Sequence, residues 1–183
     1  ELGAINLAEN NKFFLWHTWF SDVFSRDDKE GFDIVIGNPP YIGEKGHKEI
    51  FQPVKSDIHL GQYYLGKMDY FYFFFHLAFN MLSPHGVATF ITTNYYPTAL
   101  GARRLRADIK DRMSIKTLFN LGELRLFENA PGQHNMISSF AKGKDGCKCQ
   151  VIDVHKKGAL NPIMFTSIIN HIDEDTTYAD VAQ

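Results

Sequence analysis

The sequence predicts an α/β domain in which buried β-strands alternate with helices around one sheet. The first observation is a run of β-branched residues, Ile34, Val35 and Ile36, which is typical of a short buried strand. The second is a largely apolar helix predicted over residues 69–82, and the third is another apolar strand over residues 87–93. A helix that links two strands in this way indicates parallel strands in a layered α/β structure.

Composition indicates one globular domain. The 183 residues are 44% hydrophobic and 22% charged, which suffices for a sizeable core and excludes a disordered chain. The formal net charge is −2, so the chain lacks the overall basic character that proteins use against nucleic-acid phosphates. A single Cys147-x-Cys149 pair does not make a zinc site, and so few cysteines fit a reducing cytoplasm. No signal peptide or membrane span is predicted, and we expect no membrane partner.

The other elements follow in order along the chain. Residues 1–31 are expected to be the tail of an upstream helical segment with an aromatic lead-in. Residues 42–67 form a long basic loop with a short helix near residues 49–54. We expect either a disordered surface loop or a segment that closes over a nucleic-acid strand. Asp69 is the predicted N-cap of the long helix, and residues 83–86 end it. The pattern then predicts a helix over residues 98–113, strands over 115–121, 135–141 and 149–154, and a loop over 122–134.

The last two predicted strands are joined by a loop and not by a helix. At least one of them is therefore expected to be antiparallel. The helix over residues 98–113 carries Arg103 and further cations beside an apolar stripe, and we expect these cations to form a solvated face. We divide the chain into a lead-in (1–31), a catalytic segment (32–154) and an exit segment toward another domain (155–183).

The stretch Asn38-Pro39-Pro40-Tyr41 directly follows the first strand. Neither proline has a backbone N–H, so the chain must leave the sheet at Asn38 in a stiffened turn. The Asn38 carboxamide and the Pro39 carbonyl are two acceptors that can hold both hydrogens of an exocyclic amino group. Tyr41 can stack on the ring that carries this group. The arrangement suits chemistry on adenine or cytosine, although a proline-rich turn after a core strand would have the same sequence.

This stretch, preceded by Phe32-Asp33-Ile34-Val35-Ile36-Gly37, resembles the catalytic motif of the amino-group DNA methyltransferases. It is most similar to the N6-adenine enzymes of type II and type IIG restriction-modification systems. Further similarity covers residues 67–70, 82–94 and 121–127, and the aromatic residues 14–24 resemble the segment before the catalytic strand in type IIG proteins. The resemblance implies a Rossmann-like sheet that binds S-adenosylmethionine.

The resemblance also implies roles for individual residues. Asn38 and the Pro39 carbonyl would hold the target amino group, with Pro40 completing the catalytic turn. Tyr41 would stack on an adenine flipped out of double-stranded DNA, and Phe127 would form a second aromatic wall. Methyl transfer would be direct, without a covalent enzyme intermediate.

The cofactor site is the point at which this chain departs from the family pattern. The family binds S-adenosylmethionine through a glycine-rich loop and an acidic residue upstream of the catalytic strand, and the residues before Phe32 supply no such loop. Asn38 and Asp22 are the candidate cofactor contacts, and Asp22 fits a surface acid as well as a ligand. We expect the chain to be one half of a methyltransferase domain with weak or no cofactor binding by itself. The upstream half and a target-recognition domain would belong to the parent protein.

Two other functions fit the same residues. The Asn-Pro-Pro-Tyr stretch also occurs in amino-group methyltransferases that act on RNA or on a protein glutamine. Alternatively, the chain could be a non-catalytic scaffold domain, because the cofactor half is missing.

Overall fold

A six-stranded mixed sheet organises the fold. The computed structural model describes residues 15–128, 130 and 132–183. The strands are β1 (Phe32–Gly37), β2 (Leu82–Thr93), β3 (Met113–Asn120), β4 (Leu124–Arg125), β5 (Asn135–Lys142), β6 (Cys149–Val154), β7 (Gly158–Ala159) and β8 (Thr176–Val181). The helices are α1 (Trp16–Trp19), α2 (Ser21–Phe24), α3 (Lys48–Ser56), α4 (Phe71–Met81), α5 (Arg103–Arg112) and α6 (Pro162–Ile169). The large sheet has the order β1-β2-β5-β3-β6-β8, and β4 pairs with β7 separately.

The α/β class and the partly antiparallel ending of the sheet are confirmed. β1 and β2 are parallel and are linked through α4, as predicted. β3 follows β2 through α5, but it is not the neighbour of β2, because β5 lies between them and runs antiparallel to both. β6 is parallel to β3, and β8 is antiparallel to β6. One predicted loop connection therefore inserts a reversed strand into an otherwise parallel core of the sheet.

Aromatic packing joins α4 to the sheet. Phe75 is fully buried and contacts the rings of Phe90 on β2 and Phe140 on β5, with centroid distances of 4.7 and 5.7 Å. Leu105 and Ile109 of α5 extend the same cluster. A second cluster lies around Phe119, Ile152 and Ile168, and there α6 packs on the sheet. Most of the sixteen phenylalanines were expected in the core, and these contacts are consistent with that expectation.

The ends of α4 differ in detail from the prediction. The N-cap position is Tyr70 and not Asp69, and no side chain caps the helix. Asp69 instead accepts a hydrogen bond from the Tyr72 hydroxyl at 3.2 Å, and burial raises the pKa of this carboxyl. After the helix, Ser83 to Gly86 interrupt the β1–β2 register, so that Phe32 is opposite Leu82 while Ile34 is opposite Val87. The predicted turn is therefore an irregularity at the start of β2.

Residues 42–67 are ordered and packed, so the disordered surface loop expected as one alternative is wrong. The short helix predicted near residues 49–54 is confirmed as α3, and its Phe51 and Val54 are buried. The segment is closed at its base by a bridge between Gly43 and Asp69. Arg104 of α5 donates to the carbonyl of Tyr64 at 2.7 Å and so fixes the segment to the next helix.

Residues 155–183, predicted to be an exit segment, contribute structure to the same sheet. Asn161 caps α6 by accepting from the Met164 N–H at 2.9 Å, and β8 adds the last strand. Asp173 is 7% exposed and accepts from the Thr176 hydroxyl at 2.6 Å. Across the described ranges, no helix has the length and apolar character required to cross a bilayer.

Candidate functional site

The turn after β1 is completed by the Tyr41 hydroxyl. Gly37 opposite Phe90 is the last pair of the β1–β2 ladder, since the prolines that follow cannot donate to it. The Tyr41 hydroxyl donates to the carbonyl of Ile91, one residue farther along β2, over 2.9 Å. A side chain thus takes the place of a backbone donor at the point where the chain leaves the sheet. Residues 38–41 are consequently held against the carboxyl end of β2, the side of an α/β sheet where ligands bind.

The same hydroxyl determines the setting of the Asn38 carboxamide. The Tyr41 oxygen lies 2.7 Å from Asn38 Oδ1 as well as 2.9 Å from the Ile91 carbonyl oxygen. A hydroxyl has a single proton and cannot donate fully to both acceptors. When the proton is directed to Ile91, a rotated Asn38 amide can donate its Nδ2–H to the tyrosine oxygen. Its Oδ1 then points away from Tyr41 and is available to a ligand.

Burial keeps Tyr41 neutral. Desolvation raises its pKa to about 12, and the polar side chain of Asn135 opposes this shift. Asn135 begins β5 and is 1% exposed. The Tyr41 ring is partly buried and meets the Phe71 ring at 6.0 Å in an edge arrangement. The phenol is therefore a fixed hydrogen-bonding group whose remaining ring surface can contact a ligand.

The Pro39 carbonyl is the second predicted acceptor. Within the part of the chain that the structure describes, no hydrogen-bond donor reaches it. The Asn38 Oδ1 and the Pro39 carbonyl come from adjacent residues of one stiff turn. They can therefore accept from one amino group once the Asn38 amide is rotated away from the Tyr41 hydroxyl.

An apolar trough of about 320 Å³ runs from this turn along β1 to α4. Its lining includes Val35, Asn38 and Phe90, and no lining residue carries a carboxylate or an ammonium group. S-adenosylmethionine has ribose hydroxyls, an amino group and a carboxylate, which need polar partners when they are buried. The described residues therefore fit an apolar part of this cofactor and do not form a complete site for it.

Asp22 and Phe127 are not brought to the turn by any recorded contact. Asp22 lies in α2 and is exposed. Phe127 is partly exposed in the connection between β4 and β5, where its carbonyl accepts from the Ala130 N–H at 3.4 Å. Among the residues that the structure describes, neither side chain has a hydrogen bond or ring contact with Asn38 or Tyr41. Their roles stay predictions.

The sequence analysis missed a row of polar side chains at the carboxyl ends of the strands. Asn94 follows β2 and donates through Nδ2 to Asn120 Oδ1 at 2.9 Å, and Asn120 ends β3. Asn120 donates in turn to Asp153 Oδ1 on β6 at 2.7 Å and accepts from the Gly122 N–H at 3.2 Å. With Asn38, each of four strands that run in one direction carries an amide or a carboxylate at or near its end. This recurrence after predicted strands was the available signal.

Comparisons with known proteins identify the family and the fold. The sequence model of the Eco57I restriction-modification methylase family matches residues 3–127. Type II methyltransferase M.HincII of Haemophilus influenzae is 26% identical over 141 residues, which are 76% of this chain and 28% of that protein. This chain therefore spans less than a third of that curated relative.

Solved structures show the same fold at low sequence identity. One is the methyltransferase subunit of a type I restriction-modification system from Streptococcus thermophilus, with a TM-score of 0.58 and 16% identity. The match covers 85% of this chain and 35% of that one. Another is the type IIL restriction-modification enzyme MmeI in complex with DNA, with a TM-score of 0.54 and 12% identity over 80% of this chain and 18% of that one. Since the family model covers more than half of the residues, the chain belongs to the Eco57I restriction-modification methylase family.

Proposed function

We propose that this chain holds the target nitrogen in an N6-adenine DNA methyltransferase of a restriction-modification system. The observation that carries the proposal is the turn in which Tyr41 contacts Asn38 beside a Pro39 carbonyl that no donor among the described residues reaches. Two acceptors on a stiff turn suit an exocyclic NH2 group, which offers two donors. Family membership and a relative solved in complex with DNA support a DNA substrate.

The chemistry assigned to these residues is positional. Hydrogen bonds from the amino group to Asn38 Oδ1 and the Pro39 carbonyl would hold the nitrogen and draw its lone pair out of conjugation with the ring. S-adenosylmethionine would supply the electrophilic methyl group. The Tyr41 ring would stack on the flipped base, and Phe127 would face it from the loop before β5. No described side chain at the turn is placed to form a covalent intermediate, and the proposal needs none.

The outer side of β1 supports a larger functional unit. β1 is the terminal strand of the sheet, and its Ile34 and Ile36 are 70% and 76% exposed. Parallel strands are ordinarily buried on both faces, and an exposed apolar edge strand invites association. We therefore propose that a cofactor-binding half of the parent protein covers β1 and completes the trough beside Asn38, and that a target-recognition domain reads the DNA sequence.

The test is methylation by the full-length protein that carries this chain. DNA free of adenine methylation is incubated with radiolabelled S-adenosylmethionine and digested to nucleosides. The nucleosides are then separated by chromatography and identified by mass spectrometry. We expect N6-methyladenine from the wild type and a fall of at least about 100-fold with Asn38→Ala. Asn80→Ala is the matched control, because Asn80 is exposed on α4 and contacts Arg112.

Three results would contradict the proposal. Undiminished activity of Asn38→Ala would remove the role of the turn. Label in RNA or in a glutamine peptide, with none in DNA, would assign the chain to one of the other amino-group methyltransferases. Calorimetry on the full-length protein addresses the scaffold alternative, because a scaffold would bind no S-adenosylmethionine. For residues 1–183 alone, we expect weak or no binding.

A further inference from the structure

We propose that Leu100 is an apolar wedge that enters double-stranded DNA beside the flipped base. The inference rests on the proposed function and assigns a role to the connection between β2 and α5, residues 94–102. Enzymes that extrude a base leave a gap in the stack, and apolar side chains that enter between base steps lower the cost of unstacking. The candidate side chain must be exposed, rigidly presented and close to the clamp at Asn38.

The connection is rigid. Tyr96 is 3% exposed, and its hydroxyl lies 2.8 Å from the Ser138 hydroxyl on β5. Arg106 of α5 donates to the carbonyls of Tyr96 and Ala99 at 2.9 and 2.6 Å. The Ala99 N–H donates to the Tyr95 carbonyl at 2.9 Å. Tyr96 is thus fixed in the core and Ala99 is fixed by the Arg106 guanidinium. The backbone that carries Leu100 is therefore held in one conformation.

A close backbone approach places the turn that carries Leu100 against the backbone of Lys67. A Cβ on Gly101 would lie 2.1 Å from the carbonyl oxygen of Lys67, so only glycine fits there. Lys67 is two residues before Asp69, which bridges to Gly43, and Gly43 is two residues after Tyr41. Leu100 therefore sits beside the segment that returns from the catalytic turn. It also follows β2 at the carboxyl edge of the sheet.

Leu100 is 83% exposed in this setting, and Tyr95 on the same turn is 53% exposed. A single exposed leucine on a protein surface needs no explanation. Here, however, two large apolar side chains share one anchored turn, which follows β2 at the same edge of the sheet at which Asn38 follows β1. The Tyr95 ring also contacts the His134 ring at 6.3 Å, and His134 belongs to the connection that carries Phe127. The turn that carries Leu100 therefore contacts, through this pair of rings, the connection that carries Phe127.

The charges around the turn favour a nucleic acid. Lys67 approaches Gly101 through its backbone, and Arg103 begins α5 three residues after Leu100. Both side chains are exposed, and neither forms an ion pair within the described ranges. From the sequence, a solvated helix face is favoured for Arg103 over contact with DNA. Its position near Leu100 in the chain suits contact with a DNA phosphate next to the base step that Leu100 would enter. We commit to duplex DNA as the partner, because an extruded base leaves a gap between stacked base pairs only in a duplex.

The experiment compares two substrates with the full-length protein. The wild type's own methylation pattern gives the recognition site, and a duplex is made with the target adenine paired to thymine. In a second duplex, the target faces an abasic position, which lowers the cost of extrusion. We expect Leu100→Ala to lower kcat/KM on the paired duplex by about tenfold or more and to match the wild type within about twofold on the abasic duplex.

The control variants separate a wedge from a structural effect. Leu100→Met keeps an apolar side chain and is expected to retain activity on both duplexes. Ile163→Ala removes an equally exposed side chain, 85% exposed on α6, and is expected to change neither rate. If Leu100→Ala keeps the wild-type rate on the paired duplex, or loses the same factor on both duplexes, the wedge is refuted and the proposed function stands. If the wild type methylates RNA or no nucleic acid, the proposed function fails as well.

Discussion

Tyr41→Phe tests whether the phenol acts as an anchor for the clamp and not only as a stacking surface. The substitution keeps the ring and its edge contact with Phe71 but removes the hydroxyl that lies 2.9 Å from the Ile91 carbonyl and 2.7 Å from Asn38 Oδ1. One neutral hydrogen bond contributes about 1 kcal/mol to stability. For a chain of this size, such a loss lowers Tm by about 2–4 °C.

The catalytic effect is expected to exceed the effect on stability. Without the hydroxyl, the Asn38 amide is free to rotate, and its Oδ1 is no longer held for the amino group. Leaving a polar group without its partner costs about 1–3 kcal/mol, which corresponds to about 5- to 160-fold in kcat. Stacking persists, so KM for DNA changes little.

A double-mutant cycle is the decisive assay. If Tyr41 acts through Asn38, the Tyr41→Phe change costs little in an Asn38→Ala background, and the two effects are strongly non-additive. Rates are measured under single-turnover conditions, so that product release does not hide the chemical step. A Tyr41→Phe enzyme with wild-type kcat, or two effects that simply add, would refute the anchoring argument. The pKa of about 12 also predicts that Tyr41 does not ionise between pH 6 and 10. We therefore expect no change in kcat across this pH range that is due to Tyr41.

Three further predictions concern the fold and the second wall. Gly101→Ala forces a Cβ against the Lys67 carbonyl and should reduce the free energy of unfolding, measured by urea denaturation, by about 3 kcal/mol. A change below about 0.5 kcal/mol would contradict the close approach of Gly101 to this carbonyl. Burial lowers the pKa of His76, whose Nδ1 is 2.6 Å from Asp108 Oδ2, so the unfolded chain binds the proton more readily and stability falls as pH drops below about 6.5. The dependence of Tm on pH between pH 7 and 5 should therefore be weaker in His76→Phe, and an unchanged dependence would exclude this residue as the cause. Phe127→Ala should leave Tm within about 1 °C and lower kcat/KM about tenfold if the ring faces the base, whereas full activity would remove it from the site.

The elements near the catalytic turn could be predicted because local sequence determines them. Three β-branched residues followed by two prolines leave few alternatives to a strand that ends in a turn. The run of aromatic residues in α4 likewise forces a buried helix. Asp69 was the wrong N-cap by one residue, because its carboxylate is taken by the Tyr72 hydroxyl and not by a backbone N–H. Helix ends depend on such competing partners, which the sequence does not rank.

The parts that could not be predicted depend on residues far apart in the chain. The Tyr41 hydroxyl finds its acceptor fifty residues later, at Ile91, and no local pattern indicates that pairing. The polar row of Asn94, Asn120 and Asp153 requires knowledge of which strands lie side by side. Residues 42–67 have many glycines and charged residues, which indicate a loop, so the sequence pattern did not reveal that two side chains of α3 are buried. Tertiary packing decided each of these cases.

The insertion of β5 between β2 and β3 has a consequence for synthesis of the chain. β2 and β3 are both complete once residue 120 has been made, yet each pairs with β5 and neither pairs with the other. The sheet therefore cannot become continuous until Lys142 has left the ribosome, and until then two apolar strands have open edges. A fragment that ends at residue 127, the limit of the family match, would retain that open slot permanently. A soluble product that begins at β1 should therefore require at least residues 32–142.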